Sequence, residues 1–222
     1  MKERILVGCL LLLSSVAWGQ AAQYQQGVHY FLIDQKPVQR DHVEVAEAFS
    51  YLCNHCATFE PYMQSWKTRM PENVVLRRIP VGFGRRTWDL YARAYTTAAL
   101  LGLEEKSHVP MMDAIWKDRR QMRNLPELAE FYAQFGVDKD VFVNTAQSFN
   151  VDTQMRRDQR LIQIYGINGT PTMVVNGRYR VSNTAAVPGY DAMLSVVDFL
   201  VQQELDALSS AAEAAPESEG AE

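Results

Sequence analysis

Two cysteines stand two residues apart in "FSYLCNHCATF": Cys53 and Cys56, with Asn54 and His55 between them. Such a pair can close a structural disulfide, give two ligands to a metal, or exchange electrons with another pair of thiols. A staple makes poor use of the spacing, because so short a loop removes little chain entropy from the unfolded state. A zinc or copper site needs further donors, and His29, His42 and His108 are scattered, with no second cysteine pair to complete a tetrahedron. Disulfide exchange is the reading these residues favour, with the staple and the metal clamp kept as rivals. Exchange requires that a thiolate attack or depart, so one of the two sulfurs must be stabilised as an anion.

The surrounding elements have to supply that stabilisation. In "HVEVAEAFSYL", Val43, Val45, Glu47, Phe49 and Tyr51 alternate with Ala46, Ala48 and Leu52, so His42 to Leu52 reads as a central strand that is apolar on both faces. From Asn54 to about Arg69 the pattern turns helical, with Phe59, Met63 and Trp66 at helical spacing before Met70 and Pro71 end it. Cys53 therefore falls where a helix begins, facing unpaired backbone N–H groups and the positive end of the helix dipole. Its pKa is expected to lie below that of an ordinary thiol. His55 adds a cationic or hydrogen-bonding neighbour, and Cys56, inside the helix, is expected to be the more buried thiol. "NVVLRRIPVGF" reads as a second strand, which makes a strand-helix-strand unit with a parallel pair and a right-handed crossover.

From Trp88 to Tyr165 the chain reads as helical throughout. Gly102 closes one helix, Asn124 with Glu127 makes a capping-box-like start to another, Gly136 stops that one, and Asp152 is expected to cap the last. "TPTMVVNGRYRV" then gives two short strands around an Asn176-Gly177 turn. A final amphipathic helix carries Tyr190, Met193, Leu194, Val197, Leu200 and Val201 on one stripe. Ser209 to Glu222 has the composition of a disordered acidic tail. With 222 residues, 47% of them hydrophobic, the chain can fill one large domain or one domain carrying an insertion. A net charge of -4 gives no general attraction to nucleic acid.

The start of the chain reads as a separate unit. Met1, Lys2 and Arg4 precede an apolar run, Ile5 to Val16, and the small residues of "AWG" follow, so residues 1–19 are expected to be a cleaved signal peptide. A lipoprotein reading of Cys9 fails because the apolar run continues past it. Cleavage would leave Cys53 and Cys56 as the mature chain's two cysteines, in an oxidising compartment.

The cysteine pair at a strand-helix junction, the inserted helices and "GINGTPTMVVNGRY" together resemble the DsbA family of thiol:disulfide oxidoreductases, from about Tyr24 to Leu208. The resemblance implies an α/β thioredoxin fold, a central mixed β-sheet flanked by helices, with an inserted all-helical domain. Its first half spans 24–84, the insertion 85–150 and the second half 151–208. It implies a periplasmic protein that donates a Cys53–Cys56 disulfide to reduced or unfolded exported proteins through a mixed disulfide on Cys53. No cofactor beyond that redox-active disulfide and no metal is expected. A membrane, quinone-linked reoxidant of the DsbB type is implied as partner, and the protein is expected to act as a monomer.

Further site residues come from the same resemblance. The Thr170–Pro171 bond is implied to be cis and to lie beside the cysteines, where Thr170 offers backbone hydrogen bonds to an extended substrate. Glu47, six residues before Cys53, matches the family's buried acid and is the candidate proton relay for Cys56, with Arg78 a candidate neighbour. Asn54 departs from the proline commonest at its position, which leaves the redox potential open, on the less oxidising side. A reductase or isomerase of the same fold is the alternative reading. The substrate groove is expected to be apolar and broadly specific, and Met111, Met112, Ile115 and Trp116 to be core of the inserted helices.

Overall fold

The strand leading to the cysteines is apolar on both sides, so it must be covered on both, and the rest of the chain is arranged to do that. A computed structural model describes residues 23–34 and 41–214. The expected signal peptide and positions 215–222 of the expected tail lie outside the described residues. A two-residue strand, β1 (Phe31–Leu32), is followed by β2 (Val43–Phe49), α1 (Asn54–Lys67) and β3 (Val74–Pro80). Five helices come next: α2 (Arg86–Leu100), α3 (Glu104–Trp116), α4 (Leu125–Ala133), α5 (Lys139–Ala146) and α6 (Phe149–Ile164). The hairpin β4 (Thr172–Val175) and β5 (Tyr179–Ser182) and the long helix α7 (Tyr190–Ala214) complete the described chain.

Among the described residues the strands form one mixed sheet in the order β1-β5-β4-β2-β3. β2 runs parallel to β3 and antiparallel to β4, in the register Glu47 opposite Arg78 on one side and Met173 on the other. One face of β2 packs Val43 and Val45 with Phe59, Met63 and Trp66 of α1 and with Met193, Val197 and Leu200 of α7. Ala46 and Ala48 point the other way, into a cluster with Ile79, Val81, Tyr165 and Ile167. Trp66 ties the two helices of the first face together by donating its indole N–H to Asp198 at 2.6 Å.

The inserted helices have a core of their own that extends to the cysteines. Phe49, Tyr51, Cys53 and Cys56 are continuous with Tyr91, Tyr95, Met111, Met112, Leu128, Phe131 and Tyr132. Met111 and Met112 are thus core, with Ile115 and Trp116 packed against them. This is a thioredoxin-like α/β fold with a helical insertion, as the resemblance implied.

Local signals set several boundaries as read. Asn124 accepts from the Glu127 N–H at 2.9 Å at the head of α4, and Gly102 and Gly136 adopt positive φ after α2 and α4. The β4–β5 turn has positive φ at both Asn176 and Gly177, with Val175 accepting from the Arg178 N–H at 2.9 Å.

Three boundaries differ from expectation. β2 ends at Phe49 and not at Leu52, because the chain must turn at Tyr51 and Leu52 to bring Cys53 to the head of α1. Ser148, not Asp152, caps α6: its hydroxyl accepts from the Val151 N–H, while Asp152 sits one turn inside and pairs with Arg93 at 2.8 Å. Helix α6 therefore runs across position 150, where the insertion was expected to end. Finally, Ser209 to Ala214 continue α7. Alanine and glutamate are strong helix formers, and extending an existing helix needs no new nucleus.

The Asn124 cap is exposed and remote from the cysteines, so Asn124→Ala should lower unfolding stability by about 1 kcal/mol in denaturant titration and leave thiol exchange unchanged.

Candidate active site

Cys53 is the N-cap residue of α1, in extended backbone (φ -95, ψ 114), and its side chain makes no capping bond of the usual kind. Cys53 is 7% exposed and Cys56, in the first turn of the helix, is fully buried; both are free thiols. A thiolate at the N-cap is met by N–H groups that have no intrahelical acceptor. The Cys53 pKa is accordingly pulled down to about 5. The largest contribution is the hydrogen bond from the Cys56 thiol; burial works against it, and the Thr170 hydroxyl and the backbone N–H groups of Cys56 and His55 add to it.

Cys56 behaves in the opposite way. Burial, then its role as donor to Cys53 and the negative charge there, push its pKa far above that of a free thiol. The pair is therefore split into one anion and one acid. Such a split is what disulfide exchange needs: a sulfur that leaves readily and a neighbour that holds a proton.

The Thr170–Pro171 bond is cis, and Thr170 lies against the reactive sulfur, its carbonyl accepting from the Cys53 S–H at 3.3 Å. His55 is exposed, and what it supplies to Cys53 is its backbone N–H. Asn54 is exposed as well, its carbonyl accepting from the Thr58 hydroxyl at 3.0 Å. The insertion holds the turn before Cys53, since Trp116 donates its indole N–H to the Tyr51 carbonyl at 2.9 Å.

Beneath the pair lies a buried polar chain. Glu47 is wholly buried and accepts from Arg78 Nε at 3.0 Å through one carboxylate oxygen, while its other oxygen has no partner among the described residues. Arg78 reaches Glu60 with Nη2 at 3.3 Å. Burial lifts the Glu47 pKa to about 7; the Arg78 charge opposes the lift and the Glu60 charge adds to it. In turn the Glu47 charge is one of the influences that raise Cys56. The sequence positions Glu47 and Arg78 thus meet across the β2–β3 pair.

One aromatic residue of this region was not singled out from the sequence as part of the site. Tyr190, read as one position in an apolar stripe, donates its hydroxyl to the His55 carbonyl at 3.0 Å and packs on Phe59 and Tyr62, with ring centroids 5.0 and 5.4 Å away. Burial and then the negative charge of Cys53 raise its phenol. No local signal sets it apart from the rest of the stripe, because its partner lies 135 positions away in the chain. A cleft of about 850 Å³ lined by Gly82, Phe83, Arg93, Asp152 and Asn168 includes neither cysteine. The chemistry is located by the sulfurs and their donors and not by cavity size.

Known proteins place these features in a family. Residues 87–201 match the family described as the DSBA-like thioredoxin domain. The chain is 41% identical over 165 residues to the thiol:disulfide interchange protein DsbA of Azotobacter vinelandii, covering 74% of this chain and 76% of that protein. To the protein of the same name from Pseudomonas aeruginosa it is 35% identical over 209 residues, covering 92% and 97% of the two chains. Among solved structures, a crystal structure of Pseudomonas aeruginosa DsbA superposes with a TM-score of 0.76 at 34% identity, over 84% of this chain and 97% of that one. The oxidoreductase DsbA from Xylella fastidiosa gives a TM-score of 0.74 at 35% identity, over 80% and 96%.

Proposed function

The chain belongs to the DsbA family of thiol:disulfide oxidoreductases, and from that membership we propose that it works in the periplasm as an oxidant of newly exported proteins. The observation that carries the direction of the reaction is the opposite displacement of the two thiol pKa values. The thiolate exists in the reduced form alone, so whatever stabilises it favours reduction of the protein and drives oxidation of the partner, by about 1.4 kcal/mol for each pKa unit of lowering.

In the reaction we propose, a substrate thiolate attacks the Cys53 sulfur of the Cys53–Cys56 disulfide. The sulfur–sulfur bond breaks and its electron pair leaves on Cys56, which takes up a proton. A second substrate thiolate then attacks the substrate sulfur of the mixed disulfide, and Cys53 departs as the stabilised thiolate. The substrate has lost two electrons and the protein holds them as a dithiol. Cys53 is the residue that joins the mixed disulfide, because it is the less buried of the two. Thr170 is proposed to hold an extended substrate by its backbone, a reading supported by its contact with the Cys53 sulfur. His55 and Asn54 tune the thiolate through the backbone of the first helical turn.

Glu47 is proposed as the group that passes a proton to and from Cys56, since it is buried beneath the pair with a pKa close to neutral. The disulfide serves as the redox group with no further cofactor, the export step rests on residues 1–19, and a membrane, quinone-linked partner of the DsbB type would restore the disulfide. Among the described residues no helix is long and apolar enough to cross a membrane.

Three experiments test this reading. Above the unfolded thiol pKa the thiolate's contribution to the reduced protein is complete, below it the contribution is partial, and it is lost as pH falls through about 5. The reduced protein should therefore melt at a higher temperature than the oxidised one at neutral pH, with the gap closing as the solution is acidified towards that value. Equilibration with glutathione should correspondingly find the protein a stronger oxidant than the buffer; equal melting temperatures, together with a disulfide that survives a strongly reducing buffer, would instead mark a reductase. Separately, Glu47→Gln should slow exchange and alter the pH dependence of the potential, and a variant with both unchanged would remove Glu47 from the proton path.

A further inference from the structure

The buried chain beneath the cysteines does not end at Glu60. His108, in α3 of the insertion, is fully buried and lies between Glu60 Oε2 at 3.1 Å and the Tyr51 hydroxyl at 3.2 Å. Phe49, Tyr51 and Tyr95 enclose its ring, with centroids 4.9, 5.2 and 6.0 Å away. Glu60 is thereby served three times: by Arg78, by His108, and by the Gln64 amide at 2.5 Å. Glu47 is served once, by Arg78, and keeps one buried oxygen without a partner. A single guanidinium thus lies between two carboxyl groups whose hydrogen-bonding support is unequal.

Unequal support decides which group ionises. An ionised carboxylate accepts and cannot donate, and hydrogen bonds to it favour the charged form. We propose that His108 is a positioning residue that assigns the proton shared beneath the cysteine pair: by donating Nε2–H to Glu60 it keeps that side chain anionic on Arg78 and leaves the proton on Glu47. The Tyr51 hydroxyl completes the arrangement by donating to Nδ1, so that the neutral ring carries its proton on Nε2. A residue of the insertion thereby sets the protonation of the acid below Cys56, although it touches neither the cysteines nor Glu47.

The charges around His108 agree with this assignment. Arg78 faces it from β3, Glu60 from α1, Tyr51 from the turn before α1 and Tyr95 from α2, while Glu105 lies on its own helix. Burial and then the Arg78 charge lower the imidazole pKa against the pull of Glu60, which keeps the ring neutral. At Glu60 burial acts upward, but the hydrogen bond from His108, the Arg78 charge and the hydrogen bond from Gln64 outweigh it and hold the carboxyl below its usual range.

The consequence for exchange rests on the proposed relay by Glu47; the location of the proton does not, and it is read without any rate measurement. The carboxyl carbons of Glu47 and Glu60 are to be followed by carbon-13 NMR in the reduced protein, with each resonance assigned by its loss in Glu47→Gln or Glu60→Gln. Just below neutral pH the wild-type protein should show Glu47 protonated and Glu60 ionised. In His108→Leu the protonated signal on Glu47 should be lost and appear on Glu60, and His108→Gln, whose amide can still donate, should restore the wild-type pattern. An unchanged assignment in His108→Leu would overturn the proposal. Should His108→Leu not fold, nitrogen-15 NMR of the unsubstituted protein still decides: a neutral His108 protonated on Nε2 supports the assignment, and an imidazolium or a ring protonated on Nδ1 at neutral pH refutes it.

Discussion

A sulfur anion at the head of a helix, sharing the proton of its neighbour, is the interaction on which the rest of the molecule depends. The Cys53 thiolate is favoured because the Cys56 S–H points at it and because the first backbone N–H groups of α1 lack other acceptors. Neither condition holds in an unfolded chain. Both require that β2 end at Phe49, that the chain turn through Tyr51 and Leu52, and that α1 start at Asn54. The sheet, the flanking helices and the insertion can be understood as the means of holding those few residues in place. Trp116 fixes the Tyr51 carbonyl from the insertion side, Tyr190 fixes the His55 carbonyl from α7, and Thr170 approaches the sulfur from the loop before β4.

Stabilising one anion near the surface is accompanied by a cost beneath it. Glu47, Glu60, Arg78 and His108 are all buried, and ionised groups removed from water lose several kcal/mol of solvation each unless their partners are well placed. Apolar replacements of the same volume would be expected to stabilise such a core, so a buried polar chain at this place is better accounted for by chemistry than by stability. One carboxyl with a pKa near neutral beneath the buried thiol is what the proton transfer proposed for Glu47 would need. The cooperation of α1, β3 and α3 in building it explains why the helical insertion packs so closely against the thioredoxin-like half.

Much of this was legible in the residues, and what was legible was local. The cysteine spacing at a strand-helix junction, the Asn124 cap and the Asn176-Gly177 turn each depend on residues within a few positions of one another, and each appears in the structure as read. The strand ending was misjudged because the apolar alternation continues through Tyr51 and Leu52, whose side chains are needed in the core even after the strand has stopped. Ser148 and Asp152 are both acceptable caps, and only the packing of α6 against α2, with Arg93 engaging Asp152, decides between them. Contacts across long separations left no local mark. Tyr190 meets His55 from 135 positions away and His108 meets Glu60 from 48, so nothing near either residue distinguishes it from ordinary core. The meeting of Glu47 with Arg78 was suggested by the family resemblance, and it is the parallel register of β2 and β3 that brings it about.

The account stands on the acidity of a single thiol. In the reduced protein, the Cys53 Cβ resonance followed by carbon-13 NMR through a pH titration reports the ionisation of that sulfur without any reagent. A transition near pH 5 at Cys53, with Cys56 remaining a thiol throughout, is the result expected from this structure. A Cys53 transition close to the value of an ordinary cysteine, about 8.5, would contradict it.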